Sequence, residues 1–294
     1  MSVIQENIGI IGVGRLGSQL SIMLKEADYQ ISIVIDRDTY KAIKCMNECN
    51  ALISSDSIFD IGNNITILFI CVQDDNITGI ANELAKNENL NKDLIIAHTS
   101  GLHTSEILHS VSNKNVHLCS FHPCYSFTSK DNALPEDIYY AVEGDDRGYE
   151  RLEKVAECLG GKPFRINKKE KIVYHTACSM ASNFLVGLMY IVDELLDENM
   201  EINKSDFLWP LVQGTLDNIK NRGIDMALTG PIIRGDAQTV RQHLKTLGNF
   251  DKRVVDLYVY IGEKLLQIAK DEDLSREKFK NIKKLFKKYK SGKL

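Results

Sequence analysis

Several things are in short supply in this chain of 294 residues. Apolar runs are short, and none approaches the roughly 18 residues that suggest a membrane span, so no span is expected. The segment Met1 to Gly9 has no basic stretch leading into a long apolar core, so no secretory signal is expected. Prolines number only five, and the seven cysteines, an odd count, are scattered at positions 45, 49, 71, 119, 124, 158 and 178. That pattern does not make the disulfide framework of a small secreted domain, and it points to a reducing cytoplasm. Net charge is −4, too small to argue for a nucleic-acid partner.

What is present is an ordinary globular composition, 44% hydrophobic and 26% charged, in a chain long enough for two domains. The small net charge conceals an asymmetry. Residues Ser275 to Leu294 carry nine Lys or Arg and one Glu, a net of +8, which leaves −12 for the rest. This tail spaces Phe279, Ile282, Phe286 and Tyr289 in a near-helical pattern among its lysines, as a solvated terminal helix lying on an acidic body would.

The first half alternates apolar β-branched runs with helical stretches. Strands are expected over Ile8–Ile11, Ile31–Ile35, Ile65–Val72, Leu94–Ala97, Val116–Cys119 and Ile138–Val142, and helices over Ser18–Ala27, Asn76–Lys86 and Arg147–Leu159. Continuous apolar strands between helices imply a parallel sheet covered on both faces. After Gly160-Gly161-Lys162-Pro163 the pattern turns almost wholly helical: Lys168–Met200, Asp206–Met226, Asp236–Leu247 and Lys252–Ala269. The expected organisation is an α/β dinucleotide-binding domain over residues 1–166 and an all-α substrate and dimerisation domain over 167–294.

Gly12-Val13-Gly14-Arg15-Leu16-Gly17 matches G-x-G-x-x-G between a strand and a helix. In that context the first glycine permits a tight turn, the second admits a pyrophosphate to the backbone, and the third allows close helix–strand packing. Asp36 lies 19 residues after Gly17, where an acid binds the ribose, while the adjacent Arg37 would accept a 2′-phosphate. The first favours NAD and the second NADP. Arg15 and Leu16 belong to the same loop, and Arg15 is a further candidate for phosphate contact. Ligands in such sheets bind beyond the carboxyl ends of the strands. Cys71-Val72-Gln73-Asp74, His98-Thr99-Ser100-Gly101 and Ser120-Phe121-His122-Pro123 reach that edge. Val72, His98, Ser100 and Gly101 are expected beside the nicotinamide, and His122 near the substrate.

On the first long helix Lys171, His175, Ser179, Ser182 and Asn183 recur at spacings of three and four and so share a face. Solvent faces usually carry long charged side chains, whereas this stripe mixes one lysine, one histidine and small polar groups. Lys171 or His175 can act as acid or base, Asn183 can hold a substrate oxygen, and Ser179 lies between them. Arg234, within Leu228 to Asp236, can grip a substrate carboxylate. A metal site from His117, Cys119, His122 and Cys124 has a spacing that fits no zinc pattern, and no metal is expected.

Taken together, these stretches make the sequence resemble the Rossmann-like oxidoreductases that carry a C-terminal α-helical domain of unknown function, relatives of pyrroline-5-carboxylate reductase and of the deazaflavin-dependent NADP oxidoreductases. The matching segments are Gly12 to Gly17, His98 to Gly101, Ser120 to Pro123 with Phe127, Lys171 with Tyr174-His175 and Asn183, and Leu228 to Asp236. The resemblance implies a helical domain of the 6-phosphogluconate-dehydrogenase-like kind and a homodimer built through it. More distantly, Lys171 and His175 are similar in position to the Lys-x-x-x-Asn of 3-hydroxyacid dehydrogenases, with His175 in place of the asparagine. The expected function is NAD(P)-dependent hydride transfer to or from a small carbonyl, imine or hydroxy acid in a cleft between the domains. The alternative is a protein that senses the dinucleotide without turnover, which would keep the glycine loop and Asp36 but have no use for the polar stripe.

Overall fold

The computed structural model describes residues 6–127, 137–200, 205–272 and 274–291. The chain divides into two compact units, residues 1–183 and 184–294.

The first unit is built on one eight-stranded sheet. Its elements in chain order are β1 (Asn7–Ile11), α1 (Arg15–Glu26), β2 (Gln30–Ile35), α2 (Thr39–Cys49), β3 (Ile53–Ser55), β4 (Ile67–Ile70), α3 (Asp74–Leu84), β5 (Ile95–His98), a 3-10 stretch over Ser105–Lys114, β6 (His117–Pro123), β7 (Tyr139–Gly144), α4 (Asp146–Cys158) and β8 (Lys162–Arg165). The strand order is β3-β2-β1-β4-β5-β6-β7-β8. Strands β1 to β6 run parallel. β7 pairs antiparallel with β6, with Phe121 opposite Val142, and β8 follows β7 in parallel.

Both faces of the sheet are buried, which is why the strands read as continuous apolar runs. Ile8, Ile10, Ile67, Phe69, Ile95 and Ala97 point into one core with Leu20 and Leu24 of α1, Cys45 and Cys49 of α2, and Leu152 and Val155 of α4. Their alternating neighbours Ile11, Leu68, Ile70 and Ile96 point into the other, with Ile77, Ala81 and Leu84 of α3 and with Leu108 and Val111. The expected strand over Ile65–Val72 is shorter in the structure, Ile67–Ile70, and Cys71 and Val72 beyond its end pack against Gly12 of the glycine loop. α2 and β3 escape the sequence pattern. α2 buries only Ala42, Cys45 and Cys49, too sparse a stripe to register, and is started by Asp38, whose side chain accepts from the Lys41 N–H.

The long helix α5 (Lys171–Asn199) begins three residues later than expected. Asn167 and Glu170 bond each other reciprocally: Asn167 Oδ1 accepts from the Lys169 and Glu170 N–H groups at 3.0 and 3.1 Å, and Glu170 Oε2 accepts from the Asn167 N–H at 3.0 Å. This capping box fixes a turn over 168–170 before the helix proper. The division between the units falls inside α5, after Asn183, and not at its start near residue 167. By length and composition alone α5 is apolar enough to cross a membrane. Its sequence lacks a pure apolar run because Lys171, His175 and the serines interrupt it.

The second unit continues with α6 (Trp209–Arg222), α7 (Ile224–Ala227), α8 (Pro231–Arg234), α9 (Ala237–Phe250), α10 (Lys252–Asp271) and α11 (Arg276–Lys290). The single helix expected over 206–226 is broken at Gly223, which takes φ +85° between α6 and α7. Val240, Leu244, Val255, Val259 and Leu266 of α9 and α10 form its core with Ile282, Leu285 and Phe286 of α11.

Candidate active site

The glycine loop does what its spacing requires. Gly12 sits at φ +88°, and a Cβ there would lie 2.8 Å from the Cys71 carbonyl oxygen and from Val72 Cγ1. A Cβ on Gly17 would run into the Gly12 carbonyl. Gly14 is different: nothing lies within 4 Å of its would-be Cβ, which points into open space. That space is a cavity of ≈ 670 Å³ lined by Gly12, Gly14, Asp36, Arg37, Val72 and Gln73, among others. The cavity lies where the carboxyl ends of β1, β2 and β4 meet the start of α1, whose first N–H groups are free of intrahelical partners. The loop, cavity and helix end therefore fit the pyrophosphate of a dinucleotide, with room where a side chain would intrude.

Asp36 is bound into the chain itself. Its Oδ2 accepts from the Val13 N–H at 2.9 Å and its Oδ1 from the Asp38 N–H at 3.0 Å. Arg37 is exposed, lines the cavity and has no ion-pair partner among the described residues. Lys41, one turn into α2, lines it too. It could not be chosen from the sequence without knowing that α2 exists. Arg15 is exposed and Leu16 half-buried at the start of α1, and neither lines the cavity.

A second cluster forms at the carboxyl ends of β5 and β6. Lys171, the first residue of α5, is 0% exposed. Its Nζ donates to the Ser100 carbonyl at 2.9 Å and to Ser120 Oγ at 2.6 Å. No carboxylate pairs with it among the described residues. Burial pushes its pKa down to about 8, against the pull of the Glu143 and Asp74 carboxylates. Ser100 is held in turn, its Oγ donating to Asp74 at 2.9 Å and accepting from the Leu102 and His103 N–H groups.

Three histidines surround this lysine. His98 is buried, and its Nδ1 accepts from the Ser100 N–H at 3.2 Å while its Nε2 faces the Thr104 carbonyl at 3.1 Å. Nε2 must then carry the hydrogen, and the ring is neutral. Burial pushes its pKa down to about 3, with the Lys171 charge adding. His122 is likewise pushed down to about 4, first by burial and then by Lys171 and His175. Its Nδ1 is 2.8 Å from the Tyr174 hydroxyl. The His122 and His175 rings meet edge-on, centroids 6.2 Å apart. Both press on Gly101, where a Cβ would lie 2.7 Å from His175 Cδ2 and 2.8 Å from His122 Nε2. Only glycine lets the three segments converge.

The structure thus brings Ser100, Gly101, His122, Lys171 and His175 together, with His98 beneath them. Val72 joins the glycine loop. Ser179 is half-buried one turn beyond His175. Asn183 is exposed at the end of the first unit, and Arg234 is exposed at the end of α8 in the second, its carbonyl accepting from Lys278 Nζ. Ser120 and Tyr174 complete the cluster. Each stands beside a chosen residue, and the cue for Ser120 was its alternation with His122 along β6, which puts the two on one face. The four possible metal ligands diverge: His117 bonds Asp93 and Asp145, Cys119 lies in the core, His122 pairs with Tyr174, and Cys124 touches Cys178.

Residues 2–123 match the model of a Rossmann-like domain, and residues 138–265 match a domain of unknown function, DUF2520. No curated protein matches the chain in sequence. Among solved structures, a Thermotoga maritima protein shares 29% identity at a TM-score of 0.74, over 91% of this chain and 100% of that one. A Bacteroides fragilis protein assigned as an NADP oxidoreductase shares 21% at 0.69, over 90% and 100%. An imine reductase from Myxococcus stipitatus, solved in complex with NADP+, shares 14% at 0.60, over 89% and 94%.

Proposed function

We propose that this chain, a Rossmann-like domain followed by a DUF2520 domain, is an NAD(P)-dependent oxidoreductase acting on a small carbonyl, imine or hydroxy acid. The observation that carries the reading is the buried Lys171, without a salt bridge among the described residues, set among neutral histidines at the same sheet edge as the glycine-loop cavity. A dinucleotide sensor needs the cavity but has no use for a buried cation, which costs stability unless it serves chemistry. The resemblance in fold to NADP-binding reductases supports the same reading.

The backbone of Gly12 to Gly17 would hold the pyrophosphate, and Val72, Ser100 and Gly101 would flank the nicotinamide, which supplies or accepts the hydride when bound. We read the cofactor as NADP. Both Asp36 oxygens already accept backbone N–H bonds, whereas Arg37 and Lys41 present cations to the cavity. Lys171 is sealed from solvent, so we assign it a positioning role: it fixes Ser100 and Ser120, and its charge adds to the burial that keeps His98 and His122 neutral. His175, half-buried, is the group that can meet a substrate and pass it a proton.

The partner we propose is a second copy of the chain, joined through the helical unit. Trp209, Leu211, Leu216 and Ile219 of α6 are exposed, and α6 buries none of its residues within the chain. A 14-residue helix draws its stability from packing, and a patch of this kind marks an interface. We place the enzyme in the cytoplasm, where free thiols persist.

The test is turnover of NADPH against a panel of small ketones, imines and hydroxy acids. His175→Ala is expected to lower kcat by about 10²–10⁴-fold, the range for a lost proton donor. Full activity in that variant would remove His175 from the chemistry. Tight dinucleotide binding with no turnover across the panel would favour the sensor.

A further inference from the structure

A pair of thiols beside the histidine cluster has no part in the proposed chemistry. Cys124 follows β6 and is exposed. Cys178 sits seven residues into α5 and is half-buried. Their sulfurs are 3.6 Å apart, in contact but unbonded. Disulfide length is about 2.05 Å, so closure needs a movement on the order of 1.5 Å, within the reach of small side-chain and backbone adjustments. The remaining cysteines are placed otherwise: Cys45, Cys49, Cys71 and Cys119 are buried, and Cys158 is exposed on α4.

We propose that Cys124 and Cys178 are a redox modification site, closing to a reversible disulfide when the protein meets a peroxide. The accessible thiol reacts first. The Cys124 thiolate attacks one peroxide oxygen, the O–O bond breaks, and the departing hydroxide takes a proton to leave as water, with Cys124 now a sulfenic acid. The Cys178 sulfur then displaces hydroxide from the Cys124 sulfur, the S–S bond forms, and a second water leaves with the Cys178 proton. The two thiols supply both electrons, and a dithiol returns them. The order follows from the surroundings. Burial pushes the Cys178 thiol up, as does Cys124 beside it, which suits the resolving partner more than the attacking one.

The site bears on the cluster through Tyr174. Its hydroxyl bonds His122 at 2.8 Å and feels the charge of both thiols when they ionise. Closing the disulfide removes both S–H groups from that hydroxyl and ties the end of β6 to α5. The disulfide stands on its own geometry and does not depend on the proposed reaction.

The test uses the full-length protein treated with stoichiometric hydrogen peroxide, digested without reductant and mapped by mass spectrometry. The expected result is a Cys124–Cys178 linked peptide pair lighter by two hydrogens, and a loss of two thiols alkylatable under denaturing conditions. Dithiothreitol should restore both. Cys158→Ser should leave the link intact, and Cys178→Ser should leave Cys124 as a dimedone-reactive sulfenic acid. In the wild-type protein, Cys124 oxidised while Cys178 stays alkylatable would overturn the proposal, as would linkage through Cys158 in place of Cys178.

Discussion

At the scale of residues, the cluster is defined by what burial does to ionisable groups. His98 and His122 stay neutral down to about pH 3 and 4, against an ordinary 6.5, and Lys171 loses its proton near 8 against an ordinary 10.5. In each case the unfolded chain binds more protons than the folded one within the window, so stability rises with pH across it. Two windows follow. Stability should be lost as pH falls from about 6.5 toward 4, and gained as pH rises from about 8 to 10.5, each change on the order of several kcal/mol before relaxation of the site. Lys171→Met should abolish the alkaline gain and shift the His122 titration upward, read by NMR of the ring protons. A melting temperature flat across both windows would contradict the account of this buried cluster. Arg37 belongs to the same scale. Arg37→Ala should weaken NADPH binding about tenfold, the worth of a charge-assisted contact, and leave NADH binding unchanged. Equal loss for both would deny it the 2′-phosphate.

These residues were unevenly legible. Gly12, Gly14, Gly17 and Asp36 announce themselves because the loop between strand and helix dictates them. Lys171 and His175 could be picked as a pair from their spacing, but not their different fates. Whether a lysine at the start of a helix is sealed by Ser100 and Ser120 depends on strands 50 to 70 positions away. Tyr174 is marked only by the family resemblance and not by its chemistry, since a tyrosine on an apolar helix usually packs into a core.

At the scale of elements, α5 turns out inside-out relative to a simple amphipathic reading. The side that carries Lys171, Tyr174, His175 and Cys178 faces the sheet. Ile172, Val173, Met180, Phe184 and Val186 are exposed, the last two at 64% and 70%. Periodicity reveals that a helix has two faces, and it does not say which one turns toward the sheet. α6 poses a related question, and a prediction follows there. Leu211→Glu changes a side chain that is 66% exposed in the single chain, so folding of the protomer should survive. Light scattering should nevertheless show the proposed dimer dissociating at least about tenfold more readily, as expected for a charge placed in a desolvated contact. A monomeric wild-type protein would overturn the proposed dimer, and an unaltered dimer in the variant would place the interface away from α6. The short α2 and β3 were beyond sequence pattern for a simpler reason: too few of their side chains are buried to impose a period.

At the scale of the whole molecule, the charge asymmetry has a structural meaning. The basic tail is α11, whose Ile282, Leu285 and Phe286 are built into the core of the second unit. Gly262 of α10 makes room for the Phe286 ring, since a Cβ there would come within 2.7 Å of Cζ. Its lysines are the solvent side of a structural helix: Lys290 pairs with Glu263, and Lys278 bonds the Arg234 carbonyl. The first unit is a sheet whose carboxyl edge assembles both the glycine-loop cavity and the Lys171–histidine cluster from segments spread over about 160 positions. The cavity at the glycine loop is the proposed seat of a nicotinamide dinucleotide. Gly14 tests it most directly, because its would-be Cβ touches nothing in the protein and occupies only the space assigned to the ligand. Calorimetric titration of NADPH into the wild-type protein and Gly14→Val, with melting temperatures measured alongside, separates folding from binding. Saturable binding to the wild type and at least about tenfold weaker binding to the variant are expected, at an unchanged melting temperature. NADPH bound equally well by Gly14→Val, or by neither protein, would contradict that assignment.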